Sequence, residues 1–321
     1  MGIKQRGGGL FFLWTLTLPL AGCSINRLAM RAVADALTAP GGGAVFTSDT
    51  DPKLVGDALP FAIKLYESLL AEQPGHRGLI LTTGSLFVMY ANAFVQAPAD
   101  ALPASRFQER QDGIERAKGL YIRGADMLLN GMEARYKGFA KASREGLEPY
   151  LAKTKKDDVP FLYWMAAGYL SAFSLDPLNA ELGRRVPDLL AYIGRAYALD
   201  PDFNRGALDE FYSIAYASLP PGLGGNLERA AMHFKRALAK SGGTLAGPYV
   251  SYAQSAAVPA QDYGAFTACL EAALAVDVNA DPANRLANTL AQEKARVLLA
   301  RRGDYFFLNE DGELDREAYA E

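Results

Sequence analysis

One stretch constrains this chain more than any other: Gly78–Gln96, GLILTTGSLFVMYANAFVQ. Leu79, Ile80, Leu81, Leu86, Phe87, Val88, Met89, Phe94 and Val95 spread round most of a helical wheel. A helix apolar on nearly every side is either the core helix of a globular protein or a membrane span. The length suits a span. Thr82, Thr83, Ser85, Asn92 and Gln96 are more polar residues than a lipid-facing helix usually carries, so the stretch reads as a core helix. Gly84, Ser85, Ala91 and Ala93 interrupt the bulk and let neighbouring helices come close.

The remaining sequence must then supply helices to cover that core. With 321 residues the chain is long enough to bury a large interior. Half of it is hydrophobic, with much Ala, Leu, Tyr and Glu and few β-branched runs, which favours helix over strand. The formal charge of −3 has no clustered basic excess, so nucleic-acid binding is not expected. Two histidines, His76 and His233, and two cysteines, Cys23 and Cys269, leave little material for a metal site or a disulfide framework.

The first residues have the three-part build of a secretory signal. Lys4 and Arg6 form a positive start, Leu10–Leu20 forms a short apolar run, and Leu20-Ala21-Gly22-Cys23 closes it. This ending resembles the lipobox of bacterial lipoproteins, in which the cysteine thiol is acylated and the chain is cut before it. Residues 1–22 are therefore expected to be removed and Cys23 to carry lipid. Cys269 is then left without a disulfide partner. Several acyl chains anchor firmly where one binds only marginally. By analogy with lipoprotein sorting, Ser24 in place of Asp favours the outer membrane.

Downstream, Ser24–Ala39 alternates in helical fashion until Pro40-Gly41-Gly42-Gly43 breaks it. Asp51 before Pro52 reads as a helix cap with proline at the first position. Ser48, Asp49 and Asp51 lack the spacing, glycine and closing Glu of a calcium loop. Leu54–Gln73 and Gly78–Gln96 form a helical hairpin across Pro74-Gly75. Pro98–Ser105 is expected to be a loop, Phe107–Tyr150 one long helical region, and Lys153–Asp158 a solvated mixed-charge turn.

From Pro160 the chain looks periodic. The segment RAYALD at 195–200 lines up with RALAKS at 236–241 and AALAVD at 272–277, in steps of 41 and then 36 residues. Tetratricopeptide helix-turn-helix repeats run near 34 residues. The expected fold is all-α: stacked antiparallel helical hairpins built from degenerate tetratricopeptide-like repeats, each burying a face on the next. The layout is a removed leader (1–22), a lipidated N-terminus with a short helix and loop (23–59), a helical-repeat domain (60–302) and a polar C-terminal tail (303–321).

Catalytic motifs are missing. There is no G-x-S-x-G, H-E-x-x-H or G-x-x-x-x-G-K-[ST]. His76 after Pro-Gly reads as an exposed turn residue, His233 as packing or surface, and Cys269 as a buried structural thiol. Gly222–Asn226 reads as a turn with Asn226 as N-cap. No enzyme and no cofactor are expected. What stands out is aromatic content on helices, including Phe87, Tyr90, Phe94, Tyr163, Trp164 and Tyr169. Most must be core, and some are candidates for lining a groove or pore. Asn92 and Gln96, four apart, either point into such a cavity or satisfy backbone groups inside the core.

Several of these stretches together resemble one family, the T component associated with tripartite ATP-independent periplasmic (TRAP) transporters. They are Leu59–Leu70, Thr83–Gln96, Ala207–Pro220, Gly224-Gly225 with Ala230–Leu238, and Tyr249–Asp262, and the lipobox fits as well. The likeness covers roughly residues 20–302. It implies a periplasm-facing lipoprotein with a tetratricopeptide-like fold, held to the envelope membrane by its N-terminal lipid. The implied partner is the transporter's extracytoplasmic solute-binding protein. It further implies a homo-oligomer, with a trimer as one form, and the handling of an apolar or carboxylate ligand. Tyr90, Asn92, Gln96, Tyr163 and Trp164 are the candidate ligand- or partner-binding residues. The competing reading is a helical-repeat adaptor lipoprotein in envelope assembly.

Overall fold

The computed structural model of the chain describes residues 30–39, 41–309 and 314–315. The leader, Cys23 and the lipobox lie outside the described residues. Among the described residues the structure is helical apart from a single bridge between Leu308 and Leu314.

Helix α1 spans Pro52–Glu72, and its start is set locally: the Asp51 carboxylate accepts the Leu54 amide at 3.0 Å with Pro52 at the first position. Helix α2 begins at Arg77–Tyr90, passes through a π-helical turn at Ala91–Gln96 and ends with Ala97–Asp100. This is the one helix among the described residues that meets the length and hydropathy of a membrane span. Its Ile80 and Val88 lie in one core cluster and its Leu79, Leu86 and Phe87 in another, so packing inside the protein already accounts for its apolarity. The small residues do allow close approach: a Cβ on Gly124 would sit 2.6 Å from the Gly84 carbonyl oxygen, so two helix backbones touch there.

Helix α3 spans Phe107–Arg135, shorter than the region expected to run to Tyr150. Gly138, with φ of +91°, turns the chain into a short helix at Phe139–Glu145 and another turn at Glu148–Leu151. Then come α4 (Val159–Leu175), α5 (Ala180–Leu199), α6 (Ala207–Ser218) and α7 (Leu227–Ser241). Helix α8 starts at Gly247–Tyr252 and continues into a second π-helical turn, Ala253–Ala257. Helices α9 (Tyr263–Ala275) and α10 (Arg285–Ala300) complete the order. Asn226 caps α7 by accepting the Arg229 amide at 2.8 Å.

The helices sort into two layers. In the first, α2, α4, α6, α8 and α10 touch in succession. In the second, α1, α3, α5, α7 and α9 pack against them. The three aligned segments from the sequence fall at equivalent places, the C-terminal ends of α5, α7 and α9 in the second layer. Tyr121, Phe139, Phe161, Leu162 and Met165 are almost wholly buried in the central cluster, and each contributes roughly 1.5–3 kcal/mol.

The first layer returns to where it began. Arg301 at the end of α10 donates Nη1 to the Asp100 carbonyl at the end of α2, at 2.7 Å. At the other end of α10, Arg285 donates to the Ser48 carbonyl at 3.0 Å, and Leu286 packs on the N-terminal cluster. The layer therefore has an inner side, and α2 and α10 meet at a seam. Phe306, in the stretch read as polar tail, is buried with α9 and α10 in the C-terminal cluster.

Lys153–Asp158 is not a freely solvated turn. Asp158 is fully buried and is held by Arg77, by Arg135 at 3.1 Å and by the Tyr136 hydroxyl at 2.6 Å. Two segments distant in sequence, Arg77 and Arg135-Tyr136, converge on the carboxylate of a third, which ties α2, α3 and α4 together. His76 also departs from expectation. It is half-buried, its Nδ1 accepts the Leu79 amide as the cap of α2, and Nε2 lies 2.9 Å from Asp35.

Candidate functional site

The inner side of the first layer is apolar with a few polar groups, and how each group is partnered decides what it can do. Tyr163 and Trp164 on α4 are half-buried and meet edge to face, their ring centroids 5.0 Å apart. Phe203, in the turn before α6, lies 5.4 Å from Tyr163. Burial raises the Tyr163 phenol well above its usual value, and the neighbouring Glu210 carboxylate adds to that. Among the described residues Glu210, on α6, has one polar partner, the Ser251 hydroxyl of α8 at 2.8 Å. Burial raises the Glu210 pKa, and that single hydrogen bond only partly offsets it.

On α2, the π-helical turn carries Asn92 and Gln96. Among the described residues neither side chain bonds a backbone group. The fully buried Tyr121 donates its hydroxyl to Gln96 Oε1 at 2.7 Å, and Gln96 donates to Asp100 at 3.2 Å, while Asn92 is exposed. Tyr90 just before them is half-buried, its ring 5.9 Å from Phe94 and beneath Arg116. Tyr90, Asn92 and Gln96 thus lie at and just before the π-helical turn of α2, while Tyr163 and Trp164 sit on α4.

At the seam there is a small cavity of about 190 Å³ between α2, α8 and α10. Ala93 and Ala97 line it from the first π-turn and its continuation, and Gln254 from the second π-turn. From α10 come Leu290, Lys294 and Val297. Lys294 makes no hydrogen bond or ion pair among the described residues, and burial lowers its pKa against a weaker opposing pull from Asp100. A π-turn frees backbone groups and widens a helix locally, and such turns occur often at functional sites. Sequence reasoning missed Glu210, Gln254 and Lys294. In an amphipathic helix an acid or base looks like surface until the layer curves and gives the helix two covered sides.

A second, more open groove of about 650 Å³ lies between α1 and α3. Its Arg123 is already engaged by Glu67 and by the Phe87 ring, and its Asp126 accepts the Tyr169 hydroxyl.

Of the two acid–histidine pairs among the described residues, His76–Asp35 and His233–Asp209, the second is buried inside the fold. Asp209, fully buried on α6, accepts from His233 Nδ1 at 2.7 Å and from Lys240 Nζ at 2.8 Å. The rings of Tyr212 and Tyr216 cover His233, with centroids 4.8 and 5.7 Å away. Burial alone would raise the Asp209 pKa, but His233 and Lys240 outweigh it and hold the carboxyl below its usual range. Cys269 is buried, and burial pushes its thiol up to about 11. Among the described residues no group of three or more His, Cys, Asp or Glu is placed to hold a metal.

Residues 48–306 match the family profile described as TRAP transporter T-component. The chain belongs to the TRAP transporter T-component family. A protein of Treponema pallidum (strain Nichols), described as uncharacterized, is 35% identical over 311 residues, spanning 92% of this chain and 96% of the relative. Membership makes the chain an accessory component of a TRAP transporter, associated with the cell envelope, in a family of transport components rather than of enzymes.

Proposed function

We propose that the chain is a periplasm-facing lipoprotein, anchored through acylated Cys23 in the outer membrane, that docks the solute-binding protein of its TRAP transporter. Within the returning first layer it receives an apolar or carboxylate ligand and exchanges it with that partner. It works as a homo-oligomer, a trimer being the form the family resemblance favours. One observation carries the ligand reading: Glu210 and Lys294 are held at the inner layer with almost nothing to pair them. A wall that serves folding alone pairs such groups or replaces them with apolar ones, because a desolvated charge without a partner costs stability.

The test is capture of partners by the mature chain made soluble with Cys23→Ser, from a periplasmic extract, with identification by mass spectrometry. A solute-binding protein recovered in stoichiometric amount is the expected result. Recovery of envelope-assembly proteins in its place would favour the adaptor reading. Trp164→Ala is expected to weaken capture of the solute-binding protein about tenfold without unfolding the chain, since interface energy concentrates on aromatic anchors. Unchanged capture would remove the Tyr163–Trp164 pair from the docking surface.

A further inference from the structure

The helix over 30–37 is joined to the start of α2, where Asp35 lies 2.9 Å from His76 Nε2. The next residue, Arg77, donates to the Asp157 carbonyl at 3.3 Å, and the Asp157 carboxylate accepts from Arg135 at 2.6 Å. The end of α3 and the turn before α4 therefore lie at the same end of the molecule as the N-terminal helix. The sequence there mixes acids and bases, and the fold sorts them. Asp157 and Asp158 pair with the two arginines, and Glu133 accepts the Gly138 and Ala140 amides at 2.9 Å each. Lys137, Lys141, Lys153 and Lys155 are exposed, as is Lys156, which reaches Asp200 at 3.3 Å. Tyr150 draws the lysines together. Its hydroxyl lies 2.7 Å from where a Cβ on Gly138 would sit, and Lys153 stands over its ring at 5.2 Å. Glu148 is exposed beside them as an opposing charge, and the lysines outnumber it.

We infer that this end of the molecule is the face turned to the membrane, with its lysines seated on the phosphates of anionic phospholipid. The inference rests on the reading that Cys23 is acylated, and it adds which side of the body meets the bilayer. Cys23 stands seven residues before Met30, so the tether spans at most about 25 Å. Helix α3 alone is about 44 Å long. A body of that size on so short a tether keeps the end that holds 30–37 nearest the bilayer. Charge acts in the same direction. The chain has a formal charge of −3, so an anionic surface repels it as a whole and favours the orientation that presents a basic end. Each exposed lysine close to such a surface changes partitioning by about fivefold, an effect that fades beyond a Debye length of about 8–10 Å. The ammonium donors match the headgroup phosphate oxygens. Acyl chains supply the hold, and the lysines supply the orientation.

The experiment is co-sedimentation of the soluble Cys23→Ser chain at low salt with vesicles of equimolar phosphatidylglycerol and phosphatidylcholine, and with phosphatidylcholine alone. Binding is expected to the anionic vesicles only, and to vanish at about 1 M salt, where the Debye length falls to about 3 Å. Two double variants, Lys137→Gln with Lys141→Gln and Lys153→Gln with Lys155→Gln, are each expected to lower partitioning at least about tenfold. A control of equal charge, Lys235→Gln with Arg236→Gln on the exposed side of α7, is expected to leave it unchanged. No binding to anionic vesicles by the unsubstituted chain overturns the assignment. So does binding that ignores both lysine pairs, or that falls equally in the α7 control. If the lysine variants bind vesicles normally and instead lose the solute-binding protein, the patch is a protein interface and the lipid assignment fails. The anchor itself is read separately, from the mass of the N-terminal peptide of the full chain. An unacylated Cys23 overturns both the anchor and the orientation drawn from it, whereas an acylated Cys23 without lysine-dependent vesicle binding overturns the orientation alone.

Discussion

Asp209 and Glu210 are neighbours on α6 and have opposite environments. Asp209 faces the second layer, where His233 and Lys240 both bond it and the Tyr197 hydroxyl lies 3.4 Å away, and its carboxyl titrates below the usual range. Glu210, one residue and about 100° further round the helix, faces Ser251 and Tyr163 in the first layer and titrates above it. The same contrast recurs at larger scale. Asp158 is fully buried with two arginines and a tyrosine on it, whereas Lys294 at the seam has no bonding partner among the described residues. Charges that tie helices together are satisfied from several sides. Charges on the inner side are left with bonding capacity to spare, and that spare capacity is what a ligand would use.

The largest effect expected from breaking this contrast is on the satisfied side. Asp209→Asn leaves Lys240 and His233 without the carboxylate they share, and should cost about 3 kcal/mol in urea unfolding, as removal of one partner of a buried pair does. A pH series sharpens the point. The folded pKa of Asp209 lies below its unfolded value of about 3.9, so its contribution is present above that pH and is lost as pH falls through the folded pKa. The stability gap between the unsubstituted chain and Asp209→Asn should therefore narrow in acid, and a gap that stays constant down to pH 2 would contradict the pairing. The smallest effect concerns Cys269, which takes no part in either network. With its thiol at about 11, alkylation by iodoacetamide near pH 8 should run roughly a hundredfold slower in the folded chain than in urea, from the lost thiolate alone.

Much of the fold was legible because its signals are local. The helical period, Asp51 with Pro52, and Asn226 before α7 each state a helix or its start within a few residues, and the structure has them there. The recurring segment ending at Asp200, Ser241 and Asp277 falls at the C-terminal ends of α5, α7 and α9, three helices of one layer. What was not legible depends on convergence. Lys153–Asp158 reads as solvated charge because nothing local says that Arg77 and Arg135 will arrive at Asp158. The break after Arg135 had one sign, Gly138, which the charge pattern around it obscured. The π-turns at Ala91–Gln96 and Ala253–Ala257 each follow a tyrosine and open with Ala-Asn and Ala-Gln, a likeness that gains meaning only when both are seen bordering one cavity. Of the candidate residues, Asn92 and Gln96 were drawn from that first turn and Tyr90 from the residue before it. Glu210 and Lys294 were passed over because a charged residue in an amphipathic helix looks solvated until the layer comes back on itself.

The most direct test of the contrast is urea unfolding of Glu210→Gln and Lys294→Met beside Asp209→Asn at neutral pH. Glu210 has its pKa raised and Lys294 its pKa lowered, so near neutrality the charged form of each weighs against the folded state. Neutralising them should leave stability unchanged or raise it by up to about 1 kcal/mol, while Asp209→Asn falls by about 3. A loss of about 2 kcal/mol or more in either inner-layer variant would show that these charges hold the fold together, and would contradict their assignment to ligand recognition.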